Sequence, residues 1–359
     1  MGKPKKKKNK AGAKVKSKKK DESLNGLNFS VDDLLEKVEE YIESFNFELA
    51  EKFCDRALEM SPDNLQALNM AASVYLEIGK NDEAVNCLQH AIEIEPEKGF
   101  SKYMTLGELL EGEEAVKCLK KGVELMIAEK ESGEKENVSN SDSGAEKVEI
   151  LDRDISNALC SLAEIYLTDC CFAANAETTC RLYCEKAIEH DPNNPEAYQV
   201  MANFLLSEQK SEEAKETLLK GFNLWHGCDD PTLKSARMPS YESRISLSKM
   251  LIEVNELDNA CSVLEELLSE DDEIVQVWYL LGWIQYLKEQ DYNLVVYYLE
   301  MAQKLFIQTG CDDEPLLEHI DELLSEVKVK TNNDSVEQDD NNDTDDDDDD
   351  ELNSMDTTA

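Results

Sequence analysis

Apolar positions along this chain recur in two stripes per 34 residues. Leu34, Tyr41, Ala50, Ala57 and Pro62 return as Leu68, Tyr75, Ala84, Ala91 and Pro96, each pair 34 residues apart. In the second of these units Leu68, Ala71, Ala72 and Tyr75 stand at i, i+3, i+4 and i+7, which is one face of an amphipathic helix. Ala84, Leu88 and Ala91 form the stripe of a second helix. Gly79, Lys80 and Asn81 supply the turn between the two, and Pro96 stops the second one. The small residues allow two helices to approach closely, and the large ones fill the remaining space.

Later units keep the pattern with distortions. Leu106, Gly107 and Leu110 open a third unit in which Ala115 comes early, so its inter-helix turn is expected to be shortened by about four residues. Its second helix is expected to end near Met126. Residues 129–149 are rich in Ser, Glu, Lys and Asn without periodicity and read as a flexible insertion. Leu159, Leu162, Ala163 and Tyr166 open the fourth unit, whose inter-helix segment near Thr168–Ala176 is lengthened. Tyr198, Met201, Ala202, Leu205 and Ala214 mark the fifth. A turn-rich connector, Gly227–Pro239, leads to the sixth, with Leu247, Leu251, Ala260 and Leu264. Trp278, Leu281, Gly282 and Tyr298 mark the seventh, and Glu314–Val327 reads as a capping helix over its apolar face. The period and helix pairing resemble the tetratricopeptide repeat (TPR). The expected fold is all-α: a right-handed superhelical solenoid of about seven TPR helix pairs over 30–330. It lies between a disordered arm at 1–29 and a disordered tail at 331–359.

Charge changes the picture most. The formal net charge is −42 over 359 residues. Residues 1–20 hold eleven Lys and no acid, and 331–359 hold thirteen acids and no base, so the ends nearly cancel and the helical body carries the negative charge. Such a body excludes direct, sequence-tolerant nucleic-acid binding, which needs a basic surface. It favours a basic partner drawn in by the field. No stretch approaches the ~20 apolar residues of a membrane span. The basic N-terminus has no apolar segment behind it and does not read as a secretory signal, so the eleven Cys are expected as reduced thiols in cytoplasm or nucleus. Lys3, Lys5, Lys6, Lys7 and Lys8 form a run of the kind read by a nuclear import receptor. A solubilising or RNA-grazing arm is the bland alternative. The acidic run Asp345–Glu351 reads either as a Lys/Arg-contacting tail or as a solvated one.

Candidate chemistry is sparse. None of the four His stands in a nucleophile motif, and neither a glycine-rich phosphate loop nor a metalloprotease helix motif occurs, so the chain does not read as an enzyme and no cofactor is expected. Cys170, Cys171, Cys180 and Cys184 cluster, but without zinc-site pairing. Cys180 and Cys184 fall on small inward positions of the repeat, so no metal is expected. Function in such a fold sits on the first helix of each pair, which lines the concave groove. Positions there include Asp32, Glu36, Glu39, Glu43, Glu77, Glu108, Glu111, Glu164, Glu196 and Glu242, with Lys249 the one base. A groove so nearly of one sign points to an electrostatic funnel for a Lys/Arg-rich segment. Tyr279, Trp283 and Tyr286 lie on the same face of the seventh unit, where they could stack on Arg side chains; equally, Tyr286 could pack against the capping helix. Where TPR clamps for acidic chaperone tails carry bases and Asn, this chain has Leu35, Glu39, Ser101 and Thr105, which disfavours a co-chaperone of that kind.

Three strings carry a closer resemblance. They are Tyr103-Met-Thr-Leu-Gly-Glu-Leu-Leu-Glu-Gly-Glu-Glu-Ala115, Ala163-Glu-Ile-Tyr-Leu-Thr-Asp169 followed by Cys171-Phe172, and Asp191-Pro-Asn-Asn-Pro-Glu-Ala197. With the Lys-rich start and Asp-rich end they resemble the dedicated assembly chaperones of large-subunit ribosomal protein four. The resemblance spans about residues 30–330. It implies a chaperone that captures a newly made basic ribosomal protein through its long internal loop. That chaperone would keep its client soluble, accompany it into the nucleus and release it at the pre-ribosome. A broader acidic chaperone, for instance of histones, or a TPR scaffold is the alternative.

Overall fold

The computed structural model describes residues 29–137 and 151–339. Every regular element among them is an α-helix. The helices fall into two compact units divided after Leu109. The Lys3–Lys8 run, residues 138–150 of the expected insertion and the Asp345–Glu351 run lie outside the described residues.

In the first unit α1 (Val31–Glu43) pairs with α2 (Phe47–Met60), and α3 (Leu65–Glu77) with α4 (Asn81–Ile94). The ten-residue α5 (Phe100–Leu109) follows. Ser30 starts α1 through a reciprocal capping box: its hydroxyl accepts from the Asp33 backbone N–H at 3.2 Å, and Asp33 Oδ2 accepts from the Ser30 N–H at 2.8 Å. Ala50, Ala57, Ala71, Ala84 and Ala91 are fully buried, as is the thiol of Cys54. These small side chains set the close helix spacing that the 34-residue pattern demands.

The second unit holds α6 (Gly112–Asn137), α7 (Asp152–Leu167), α8 (Ala176–His190), α9 (Pro195–Ser207), α10 (Ser211–Asn223) and α11 (Pro231–Arg237). It continues with α12 (Tyr241–Glu253), α13 (Leu257–Glu270), α14 (Val275–Lys288), α15 (Tyr292–Thr309) and α16 (Glu314–Asp339). Helices α7, α9, α12 and α14 lie side by side in that order, each backed by its partner α8, α10, α13 or α15, and α16 packs on α15. Close approach within the last pair depends on Gly282, where a Cβ would come within 2.8 Å of Leu299 Cδ2.

Four boundaries differ from the sequence expectation. The compression of the third unit falls mainly on the helix: α5 has ten residues where α3 has thirteen. Gly112 then takes φ +58°, a left-handed conformation open to glycine at little cost. Helix α6 runs past Met126 to Asn137, nine residues into the expected insertion. Its extension, Glu-Lys-Glu-Ser-Gly-Glu-Lys-Glu-Asn, lacks an apolar face but consists mostly of strong helix formers, which hold a helix without periodicity. The turn-rich connector contains α11, started by Asp230, whose carboxylate accepts from the Thr232 N–H at 2.9 Å ahead of Pro231 in the first position. Helix α16 continues beyond Val327 to Asp339. No helix among the described residues is long and apolar enough to cross a membrane.

A candidate acidic cleft

Within the second unit the row of first helices forms a cleft of about 400 Å³. Its floor is Cys160, Val200 and Met250, and its walls carry Asn157, Ser161 and Glu164 of α7, Glu196, Gln199 and Asn203 of α9, and Glu242, Ser243 and Ser246 of α12. Three consecutive repeats thus contribute one carboxylate each, and no lining residue is basic.

The backbone that presents these carboxylates is fixed by buried polar contacts. Asn194 is fully buried at the start of α9. Its Oδ1 accepts from the Glu196 N–H at 3.2 Å, while its Nδ2 donates to Ser156 Oγ at 2.9 Å and to Asn157 Oδ1 at 2.8 Å. Ser156 Oγ donates in turn to the Ala187 carbonyl at 2.8 Å. One side chain therefore caps α9 and locks it to α7, with Pro195 supplying the helical φ at the next position. Gln199 Nε2 donates to the Ser243 carbonyl at 3.0 Å and ties α9 to α12. Behind α12, the buried Arg244 guanidinium makes two bonds to the Glu270 carboxylate at 2.6 and 2.7 Å, which lowers the Glu270 pKa.

Glu164 is exposed to solvent, yet the concave walls of the cleft surround it. That burial raises its pKa, and the negative charge of Glu196 raises it further. The cleft is thus a place where negative charges repel one another and where a cation would relieve the repulsion.

The remaining sequence-predicted positions lie elsewhere. Glu36, Glu39 and Glu43 are exposed on α1, Glu77 at the end of α3 and Glu108 on α5, all in the first unit. Glu111 is exposed just ahead of α6. Lys249 is exposed on α12 and does not line the cleft.

Tyr279 and Trp283, expected among the client-binding groups, lie half-buried against the capping helix. The Tyr279 hydroxyl bonds to His319 Nδ1 at 2.8 Å, and the His319 ring sits 5.2 Å from that of Trp283. Trp283 stacks on Tyr286 at 5.5 Å, and the Tyr286 hydroxyl donates to Glu326 at 2.8 Å. Tyr286 thus packs against the capping helix, the second of its two readings. The reason is that α16 must bury Ile320, Leu323, Leu324 and Val327, which brings its flanking His319 and Glu326 onto the aromatics.

Sequence reasoning passed over Asn194 as a cap, although Asn followed by Pro before a helix is the signal for one. It also passed over His319, for which a lone His on a terminal helix carries no signal. Cys180 and Cys184 are buried on α8, where the neighbouring Cys180 thiol and burial push Cys184 up. Cys160 is likewise buried with a raised pKa, and Cys171 is exposed. Among the described residues no group of three or more His, Cys, Asp and Glu is placed to hold a metal ion.

Known proteins share both the repeat and more of the chain. Family models described as tetratricopeptide repeat match residues 41–100 and 183–216. A Schizosaccharomyces pombe protein named as a probable assembly chaperone of rpl4 is 30% identical over 295 residues, covering 75% of this chain and 82% of the relative. An Emericella nidulans protein of the same name is 28% identical over 265 residues, covering 70% of this chain and 63% of that one. A solved structure titled as the assembly chaperone of RpL4, residues 1–338, superposes with a TM-score of 0.65 at 28% identity. It covers 73% of this chain and 98% of the solved one.

Proposed function

We propose, because this chain belongs to the family of TPR assembly chaperones of rpl4, that it is a non-enzymatic chaperone of a highly basic large-subunit ribosomal protein. It holds an extended Lys/Arg-rich segment of that client in the acidic cleft, keeps it soluble and escorts it to the nucleus. The observation that carries the reading is the convergence of Glu164, Glu196 and Glu242 from three successive repeats on one cleft without a basic lining residue.

Capture follows from ordinary electrostatics. Each partly exposed ion pair contributes only about 0.2–1 kcal/mol. Three pairs in a shared concavity, with Asn157 and Asn203 beside them, give register as well as affinity. The surrounding negative charge accelerates encounter over a range set by the Debye length, ~10 Å at 0.1 M salt and ~3 Å at 1 M. A bound guanidinium or ammonium offsets the burial and the Glu196 charge that raise the Glu164 pKa, so binding and ionisation favour each other. Release would need competition from a stronger polyanion, which ribosomal RNA supplies.

The test is calorimetry of the client ribosomal protein against the wild type and a Glu164→Lys, Glu196→Lys, Glu242→Lys triple variant across a salt series, with circular dichroism as the folding control. Steep salt dependence in the wild type and loss of capture in a folded variant are expected. Affinity indifferent to both would refute the cleft.

A further inference from the structure

The turn between the two helices of a pair has one geometry in four places. After α3, Gly79 N–H donates to the Leu76 carbonyl and Lys80 N–H to the Tyr75 carbonyl. The same two bonds recur with Gln209 and Lys210 after α9, with Asn255 and Glu256 after α12, and with Phe45 and Asn46 after α1. The pivotal residue is left-handed each time: φ is +74° at Gly79, +62° at Gln209, +59° at Asn255 and +54° at Phe45. Glycine and asparagine suit this conformation, and a bulky aromatic does not.

Phe45 is therefore strained, and it gains little burial in return. It is 83% exposed, touching the ring of Phe47 edge-on at 6.3 Å. An aromatic held in a disfavoured backbone and pointed at water contributes nothing evident to this unit's stability. Exposed carboxylates border it on both sides in the chain, Glu43 before and Glu48 after. An exposed π-face with carboxylates two residues before and three residues after it in the chain suits a planar cation, whose delocalised charge stacks on the ring. Lysine offers the charge without the plane.

We propose that Phe45 is an anchor for an arginine side chain of the basic client, at the α1–α2 turn and separate from the cleft. This rests on the reading that the chain holds a basic client, and it adds a preference for arginine over lysine.

The experiment uses the full chain and two labelled peptides of equal length and charge, one of Arg-Gly-Ser repeats and one of Lys-Gly-Ser repeats, followed by fluorescence anisotropy. Phe45→Gly is expected to weaken the Arg peptide about 3- to 10-fold, the range of a partly desolvated cation–π contact. It should leave the Lys peptide within about twofold, as expected for the charge attraction alone. Phe45→Trp should keep the arginine preference. The melting temperature of Phe45→Gly should stay level or rise, since glycine relieves the left-handed strain. An Arg-peptide affinity unchanged by Phe45→Gly overturns the proposal, as does an effect traced by sedimentation to altered self-association. The cleft triple variant separates the two readings. If it loses both peptides while Phe45→Gly loses neither, the cleft stands and the anchor falls. If it retains both while Phe45→Gly loses the arginine preference, the anchor stands and the cleft falls.

Discussion

Glu164 and Glu270 belong to the same unit and respond to acid in opposite directions. Glu164 has a raised pKa from burial and from Glu196, so the folded state binds its proton more readily than the unfolded chain. Its contribution to stability is present at low pH and is lost as pH rises from the ordinary glutamate value through the raised one. Glu164→Gln should therefore raise the melting temperature at pH 7 while weakening client capture, a trade of stability against function readable by paired calorimetric scans and titrations. Glu270 is lowered by its bonds to Arg244. Its contribution is present above the ordinary glutamate value and lost as pH falls through the lowered one. Glu270→Ala leaves the Arg244 side chain, 5% exposed, without its partner. The expected cost is about 2 kcal/mol by urea unfolding at neutral pH, below the range for a fully buried pair because the carboxylate is half open to water.

Elements are held together by single positions that tolerate little change. At Gly282 a methyl group would meet Leu299 Cδ2 at 2.8 Å and Cγ at 2.9 Å. Gly282→Ala should cost about 1–3 kcal/mol by overpacking between α14 and α15, measured by chemical unfolding. Asn194→Ala removes the cap of α9 and leaves Ser156 and Asn157 without their buried donor; about 2–4 kcal/mol is expected, with reduced client affinity as Glu196 loses its register. These elements also mark how far the sequence could be read. The alanine and leucine stripes reveal the helix pairs because burial repeats with the helical period, and the inward acids of α7, α9 and α12 follow from the same register. The extent of α6 and of α16 beyond their apolar stripes was not legible, since a polar helix leaves no periodic trace. Neither was the capture of Tyr279 and Trp283 by α16, because an aromatic that binds a client and one that binds a capping helix have the same pattern. The register of α9 against α7 and α12 rests on Asn194 and Gln199, whose long-range bonds no local window contains.

For the molecule as a whole, the excess of acid should make solubility and, on the proposed function, client encounter depend on ionic strength. The Lys-rich arm at 1–20 is the exception in sign. We propose that it is read by an import receptor, so a fluorescent fusion lacking 1–20 should shift from nucleus to cytoplasm. A fusion that stays as nuclear as the full chain in cells depleted of the client ribosomal protein would rule this out.

The buried cysteines have a use unconnected with capture. Cys54 in the first unit has its pKa pushed up to about 12, chiefly by burial, and Cys160 and Cys184 in the second are raised as well. None can react as a thiolate until its surroundings open. The rate at which a thiol reagent labels each one is therefore a clock for local unfolding, with the exposed Cys171 as the unprotected reference. Comparing the clocks of Cys54 and Cys184 with and without client would reveal whether holding a ribosomal protein quiets one unit or both.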